Sequence, residues 1–176
     1  MLTKEQEKWI QHLSDTSRVE IMSYNQKSEN IFLKIKKEIK KFLGNIEIFH
    51  CGSTALKILG QEEIDLYIPV VEKEFNNYLT KLVNHFGKPS SAYLLKRVRF
   101  VRYLENIKIE IFLINRGTND WKNIVFFESY LKRNKKSLEE YKKIKEESNG
   151  LFVREYYRKK IEFINKILKK RQKNNF

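Results

Sequence analysis

Three groups of residues in this chain have types and spacing suited to joint chemistry. Gly52-Ser53-Thr54 forms a small-residue turn after an apolar run. Asp65 lies between Ile64 and Leu66, and Glu110 between Ile109 and Ile111. A glycine lets backbone N–H groups come close to phosphate oxygens. Carboxylates are hard oxygen ligands for Mg²⁺. A carboxylate inside an apolar strand is costly to bury, so it needs a cation, a metal or an edge open to water. Side chains two apart on a strand share a face, so Glu63, Asp65 and Tyr67 point the same way, and Glu63 offers a third acid. In a hairpin whose paired residue numbers sum to about 211, Arg97, Arg99 and Val101 share a face with Lys108, Glu110 and Phe112. Two outcomes follow from that register: an Arg99–Glu110 ion pair with no chemistry, or Arg97 and Arg99 on a triphosphate. His50 either packs or orients the turn. Cys51 has no companion set that would mark a nucleophile.

This layout resembles the nucleotidyltransferase superfamily of the DNA polymerase β type. Its pattern is a Gly-Ser turn after a strand, an acid-apolar-acid pair on the next strand, and one further acid between apolar residues. His50-Cys51-Gly52-Ser53-Thr54-Ala55 with Ile64-Asp65 is similar to the His-Ile-Gly-Ser-Thr-Ala … Ile-Asp signature of the GrpB family. Phe127, Tyr130, Leu131, Tyr141 and Lys145 fall at that family's C-terminal spacing. So do Tyr156, Lys160, Phe163 and Ile164, and the likeness spans about residues 18–168.

The resemblance implies Mg²⁺ held by Asp65, Glu110 and Glu63, the same acids serving as catalytic groups. It implies a nucleoside triphosphate on Gly52, Ser53, Thr54, Arg97 and Arg99, and transfer to an unidentified hydroxyl acceptor. Tyr67 stands where the pattern has its second acid, and a protonated phenol is a poor Mg²⁺ ligand. The alternative is a degenerate, non-catalytic member of the same fold that binds a nucleotide or a protein.

The elements that must position these residues are readable from periodicity. Thr3 and Gln6 form a capping box opening a short helix. Arg18–Ser23 reads as a short strand. Ile31, Phe32, Ile35, Ile39 and Phe42 line one face of a helix that Gly44 ends. Strands are expected over 46–51 and from Glu63 to Val71, with a helix over 73–86 between them and a hairpin of Leu94–Tyr103 with Ile107–Asn115. Helices are expected over 119–133, 137–148 and 152–171. The expected fold is α+β (α/β): a small mixed β-sheet flanked by helices, with a helical C-terminal third, in one domain over 1–176.

Composition sets the frame. The 176 residues are 41 % hydrophobic, normal for a globular chain. No apolar run reaches the roughly 18 residues of a membrane span, and the N-terminus has no apolar signal core. One cysteine supports no intramolecular disulfide, so a cytoplasmic location is expected. The net charge is +14, and residues 122–176 hold 17 Lys/Arg against 7 Asp/Glu. Such a field attracts polyanions, which keeps an RNA-binding module as a third reading. The basic residues are mostly Lys interleaved with Glu, the pattern of solvated helix faces.

Overall fold

The structure, a computed structural model, describes residues 1–173; the end of the expected 1–176 domain lies outside them. Its first helix, α1 (Lys4–Gln11), carries the expected capping box. The Gln6 N–H donates to Thr3 Oγ1, and the Thr3 N–H to Gln6 Oε1. The next helix, α2 (Lys27–Leu43), buries Ile31, Phe32, Ile35, Ile39 and Leu43 along one face. Gly44, at φ 85°, stops it.

Five strands form one sheet: β1 (Phe49–Cys51), β2 (Glu63–Val70), β3 (Ser91–Tyr93), β4 (Arg97–Leu104) and β5 (Ile107–Asn115). Their order is β1-β2-β5-β4-β3. Only β2 and β5 run parallel, and they are joined through α4 (Glu72–Phe86) and the β3–β4 ribbon. Ile64, Leu66, Ile68, Ile109, Ile111 and Leu113 face α2 and α4 and form the main core. The opposite face carries Glu63, Asp65, Tyr67, Lys108, Glu110 and Phe112, in the register Glu63↔Lys108, Asp65↔Glu110 and Tyr67↔Phe112. Three C-terminal helices follow: α5 (Asn119–Arg133), α6 (Lys135–Glu146) and α7 (Val153–Lys173). Leu131, Tyr141, Phe163 and Ile167 pack them together with Ile58 as a second core.

Four expectations about elements need correction. The first expected strand begins to pair only at Phe49. The register would place Glu47 opposite Pro69, which has no N–H to donate. The Arg116 guanidinium instead reaches both the Glu47 carboxylate (2.7 Å) and the Pro69 carbonyl (3.2 Å). Second, Leu94–Lys96 is not strand but the turn between β3 and β4, with Leu95 at φ 59°. No Gly, Asn or Pro marks that turn, so β3 was invisible. Third, Arg18–Ser23 has no partner strand and makes isolated bridges. Val19 pairs with Gly150 and Leu151 before α7, and Met22 pairs both ways with Gly60. Last, the final helices begin at Lys135 and Val153, because Asn134 accepts from the Ser137 N–H and so caps α6 earlier.

The hairpin register is the expected one: Arg97↔Ile114, Arg99↔Phe112, Val101↔Glu110. Its turn places Glu105 and Asn106 both at positive φ, a two-residue connection of the kind that matches strand twist. Part of the C-terminal charge is paired on the surface. Lys142–Glu139, Lys166–Glu140, Arg158–Glu7 and Arg154–Asp15 pair on the surface. No helix among the described residues is long and apolar enough to cross a membrane.

Leu66 is fully buried on the central pair of strands, while Leu94 is 70 % exposed. Leu66→Ala therefore lowers the unfolding free energy by about 3 kcal/mol, and Leu94→Ser changes it by less than about 0.5 kcal/mol. Urea denaturation followed by circular dichroism measures both.

Candidate functional site

Where β1 ends, Gly52 turns the chain at φ 79° into the single helical turn α3 (Gly52–Ala55). A Cβ on Gly52 would stand 2.1 Å from Asp65 Oδ2, so only glycine lets the carboxylate lie against this turn. The register makes the approach unavoidable, since Cys51 pairs with Asp65. The Gly52 N–H points elsewhere, donating to Glu128 Oε1 on α5 at 2.7 Å. Gly60 is just as tightly placed. A Cβ there would meet Ser53 Cβ and Oγ at 2.7 Å, so two glycines hold the turn from opposite sides.

Beneath the turn lies a cleft of about 250 Å³. Gly52, Ser53 and Asp65 form one wall, and Glu128, Tyr141 and Lys160 of the C-terminal helices form the other. A wider groove of about 540 Å³ runs along Phe49, Pro69 and Trp121. Its Arg116 and Glu47 pair with each other and its remaining charge is Lys122, whereas the smaller cleft holds the Gly52 turn and Asp65, so the smaller cleft is the candidate site.

Burial pushes the Asp65 carboxyl up to about 7. Lys160 opposes the shift, while Glu110, Glu63 and Glu128 add to it. Burial also raises Glu128, with the Gly52 N–H and Lys132 pulling back. Glu128 Oε2 is buried without a hydrogen-bond partner. Lys145 is 2 % exposed, and its Nζ donates to the Tyr156 hydroxyl at 3.2 Å. Burial, then Lys160, pulls its ammonium down to about 7. Burial also works against the Lys160 ammonium, but Tyr156, Tyr141, Tyr157 and Asp65 outweigh it and hold it charged. Its Nζ lies 5.1 Å from the Tyr157 ring centre and 5.7 Å from that of Tyr156.

The structure unites some of the expected site residues and separates others. Gly52, Ser53 and Asp65 share the cleft. Thr54 is buried and structural: its hydroxyl donates to the Glu63 carbonyl at 3.2 Å, which leaves His50 Nε2 as the donor to Thr54 Oγ1 at 2.9 Å. His50 stacks on Phe32, and burial drops it to about 4, so it packs as a neutral ring. Burial raises the Cys51 thiol, aided by Glu128 and Asp65, which removes it as a nucleophile. Tyr67 is raised by burial and stacks on Phe112 at 4.5 Å, a protonated phenol wedged into the sheet.

Glu63 and Glu110 are engaged by protein cations. Lys108 Nζ donates to Glu63 Oε1 at 2.7 Å and lies 2.8 Å from Glu110 Oε1. Arg99 donates to the same Glu110 oxygen at 3.1 Å. Burial works against the Lys108 ammonium, but Glu110 and Glu63 outweigh it and the group is raised overall. The Arg97 guanidinium lies 5.9 Å from the Phe112 ring centre and 6.0 Å from that of Tyr93. The donor set does not suit Mg²⁺ as arranged. Two of the three acids are satisfied by Lys108 and Arg99, and Asp65 is half-protonated near neutral pH. No three His, Cys, Asp or Glu side chains converge among the described residues.

Glu128 and Lys160 line the cleft, with Lys145 buried nearby, and none of the three was singled out for it. Lys145 and Lys160 stand in family-spaced positions, with Tyr141 and Tyr156 at their sides. Glu128 reads on α5 as an ordinary helix acid, and nothing in the sequence signals its contact with Gly52.

The sheet order, the glycine turn after β1 and the helices packed on both faces define the class as an α+β protein with a five-stranded mixed sheet. The chain belongs to the GrpB family, whose model, described as GrpB protein, matches residues 18–170. It is 26 % identical over 148 residues to a UPF0157 protein of Vibrio cholerae serotype O1, covering 82 % of this chain and 78 % of that one. Among solved structures, the conserved protein GrpB from Enterococcus faecalis shares the fold. Its TM-score is 0.68 at 18 % identity, over 85 % of this chain and 95 % of that one. The Cid1 poly(U) polymerase is a looser match, with TM-score 0.45 and 13 % identity, over 76 % of this chain and 44 % of that one.

Two outcomes are expected from the Gly52–Asp65 contact. Gly52→Ala destabilises more than Gly44→Ala, which also sits at positive φ but has open space around it, by about 1 kcal/mol or more. Asp65→Ala in the same chain recovers most of that difference, read as a double-mutant cycle in urea. The second outcome concerns pH. The folded Asp65 value, about 7, lies above the ordinary 3.8, so its ionisation destabilises the fold progressively as pH rises between those limits. Asp65→Asn therefore gains stability over the parent by at most about 1.4 kcal/mol per pH unit across that window, and the gain levels off above it. Denaturation at pH 5 and pH 8 measures the change.

Proposed function

We propose that this protein binds a nucleotide in the Gly52–Lys160 cleft without a divalent cation, as a non-catalytic member of the nucleotidyltransferase-like fold. The observation that carries this reading is the Lys108 ammonium lodged between Glu63 and Glu110. A fixed ammonium there balances the charge that a metal would otherwise balance, and Arg99 completes the neutralisation of Glu110.

Lys160 supports the anionic character of the ligand. It lines the cleft, and among the described residues it makes no ion pair with a carboxylate. Held charged by its surroundings, it offers a phosphate a direct charge-assisted partner. Lys145 is buried nearby, where burial and Lys160 pull its ammonium down to about 7, so Lys160 carries the cleft's positive charge. The Gly52-Ser53 turn supplies a wall that no larger side chain crowds. Mg²⁺-dependent nucleotidyl transfer to a hydroxyl would need Glu63 and Glu110 released from Lys108.

Calorimetric titration with ATP, GTP, CTP and UTP, once with Mg²⁺ and once with EDTA, tests the reading. At least one nucleotide binds with affinities that agree within about twofold in the two conditions. Lys160→Ala weakens that binding by about tenfold or more, and Asp65→Asn preserves it. Binding that needs Mg²⁺ and is lost in Asp65→Asn would instead establish a metal site. No binding to any of the four would sink the nucleotide reading altogether.

A further inference from the structure

Glu128 is 9 % exposed and makes one hydrogen bond, from the Gly52 N–H to Oε1. Its other oxygen, Oε2, is buried with no partner. A buried carboxylate oxygen left unpaired is expensive, and groups of this kind are normally completed by something that binds. Glu128 lines the cleft, so a turn of its side chain brings Oε2 to a ligand there. Oε1 is already engaged by the turn, which leaves Oε2 as the free acceptor for an N–H donor.

The rest of the cleft limits what carries that donor. Phe127 and Tyr141 give it aromatic faces, and Ile124, Ile164 and Leu168 give it an aliphatic lining. Its volume, about 250 Å³, leaves room for a planar heterocycle. A flexible alkylammonium would use the charge and leave the flat aromatic walls unused. A planar amine uses both.

We infer that Glu128 Oε2 reads the exocyclic amino group of a nucleobase, so the cleft selects amino-bearing bases over their oxo counterparts. This rests on the reading of the cleft as a nucleotide site. The oxo base brings an acceptor oxygen against the carboxylate oxygen, so it loses the hydrogen bond and adds repulsion. Sites built to pair with a ligand N–H reject the analogue that lacks it.

Adenine and hypoxanthine differ in this way, as do cytosine and uracil, so ATP against ITP and CTP against UTP are the probes, titrated calorimetrically in EDTA. The parent chain prefers ATP over ITP, and CTP over UTP, by about tenfold or more. Glu128→Gln keeps an oxygen for the Gly52 N–H and replaces Oε2 with a donor NH₂, so both preferences invert or vanish. Equal binding of ATP and ITP, and of CTP and UTP, overturns the inference and leaves the nucleotide reading standing. Preferences that persist unchanged in Glu128→Gln also overturn it, because another group then reads the amine. Binding of none of the four overturns the nucleotide reading itself. The comparison within the parent chain decides the matter even where Glu128→Gln does not fold.

Discussion

The close approach of the Asp65 carboxylate to Gly52 organises this protein. The antiparallel pairing of β1 with β2 sets Cys51 beside Asp65, and the chain then turns directly over the carboxylate. Any Cβ at position 52 would overlap it. With the turn in place, the Gly52 N–H faces α5 and captures Glu128. One missing methyl group thus ties the sheet to the C-terminal helices and creates the cleft between them.

The polar face of the sheet obeys a second constraint. Glu63, Lys108, Glu110 and Arg99 lie side by side on β2, β5 and β4, with Glu110 buried and the others half-buried, and opposite charges alternate across the strands. Asp65 has no such partner in register. Its strand neighbour across the parallel pair is Glu110, a like charge already engaged. Asp65 therefore takes a raised pKa instead of an ion pair, which is the usual recourse of a buried acid. The contrast between neutralised acids and one unneutralised acid separates scaffold from site on a single face.

The helical third supplies the opposite sign. Lys145 and Lys160 reach inward among Tyr141, Tyr156 and Tyr157, where the rings shield their stems and the hydroxyls soften the cost of charge. The Arg18–Ser23 segment closes this assembly. By bridging Gly60 on one side and Gly150–Leu151 on the other, it links the loop behind Ser53 to the loop before α7. Lys160 and the acids Asp65 and Glu128 then line one narrow gap, and one oxygen of Glu128 is left without a hydrogen-bond partner.

Local pattern carried much of this into the sequence. The helix faces of α2, α4 and α7, the stop at Gly44, the capping box at Thr3 and the β4–β5 register all follow from short-range periodicity and propensity. Gly52, Ser53, Asp65 and the alternatives for Arg99 and Glu110 were legible for the same reason. What tertiary structure decided is which alternative holds and what else joins. β3 and its turn carry no punctuating residue, and β1 is cut short by Pro69, a residue distant in sequence. Lys108 stands between two acids only because β2 and β5 run parallel in one particular register. Glu128 and Lys160 reach the cleft, and Lys145 the space near Gly60, only through the packing of α5, α6 and α7 on the sheet. Periodicity reports which side of an element is buried, but the partner across the gap, and the charge it brings, is set by how the elements meet.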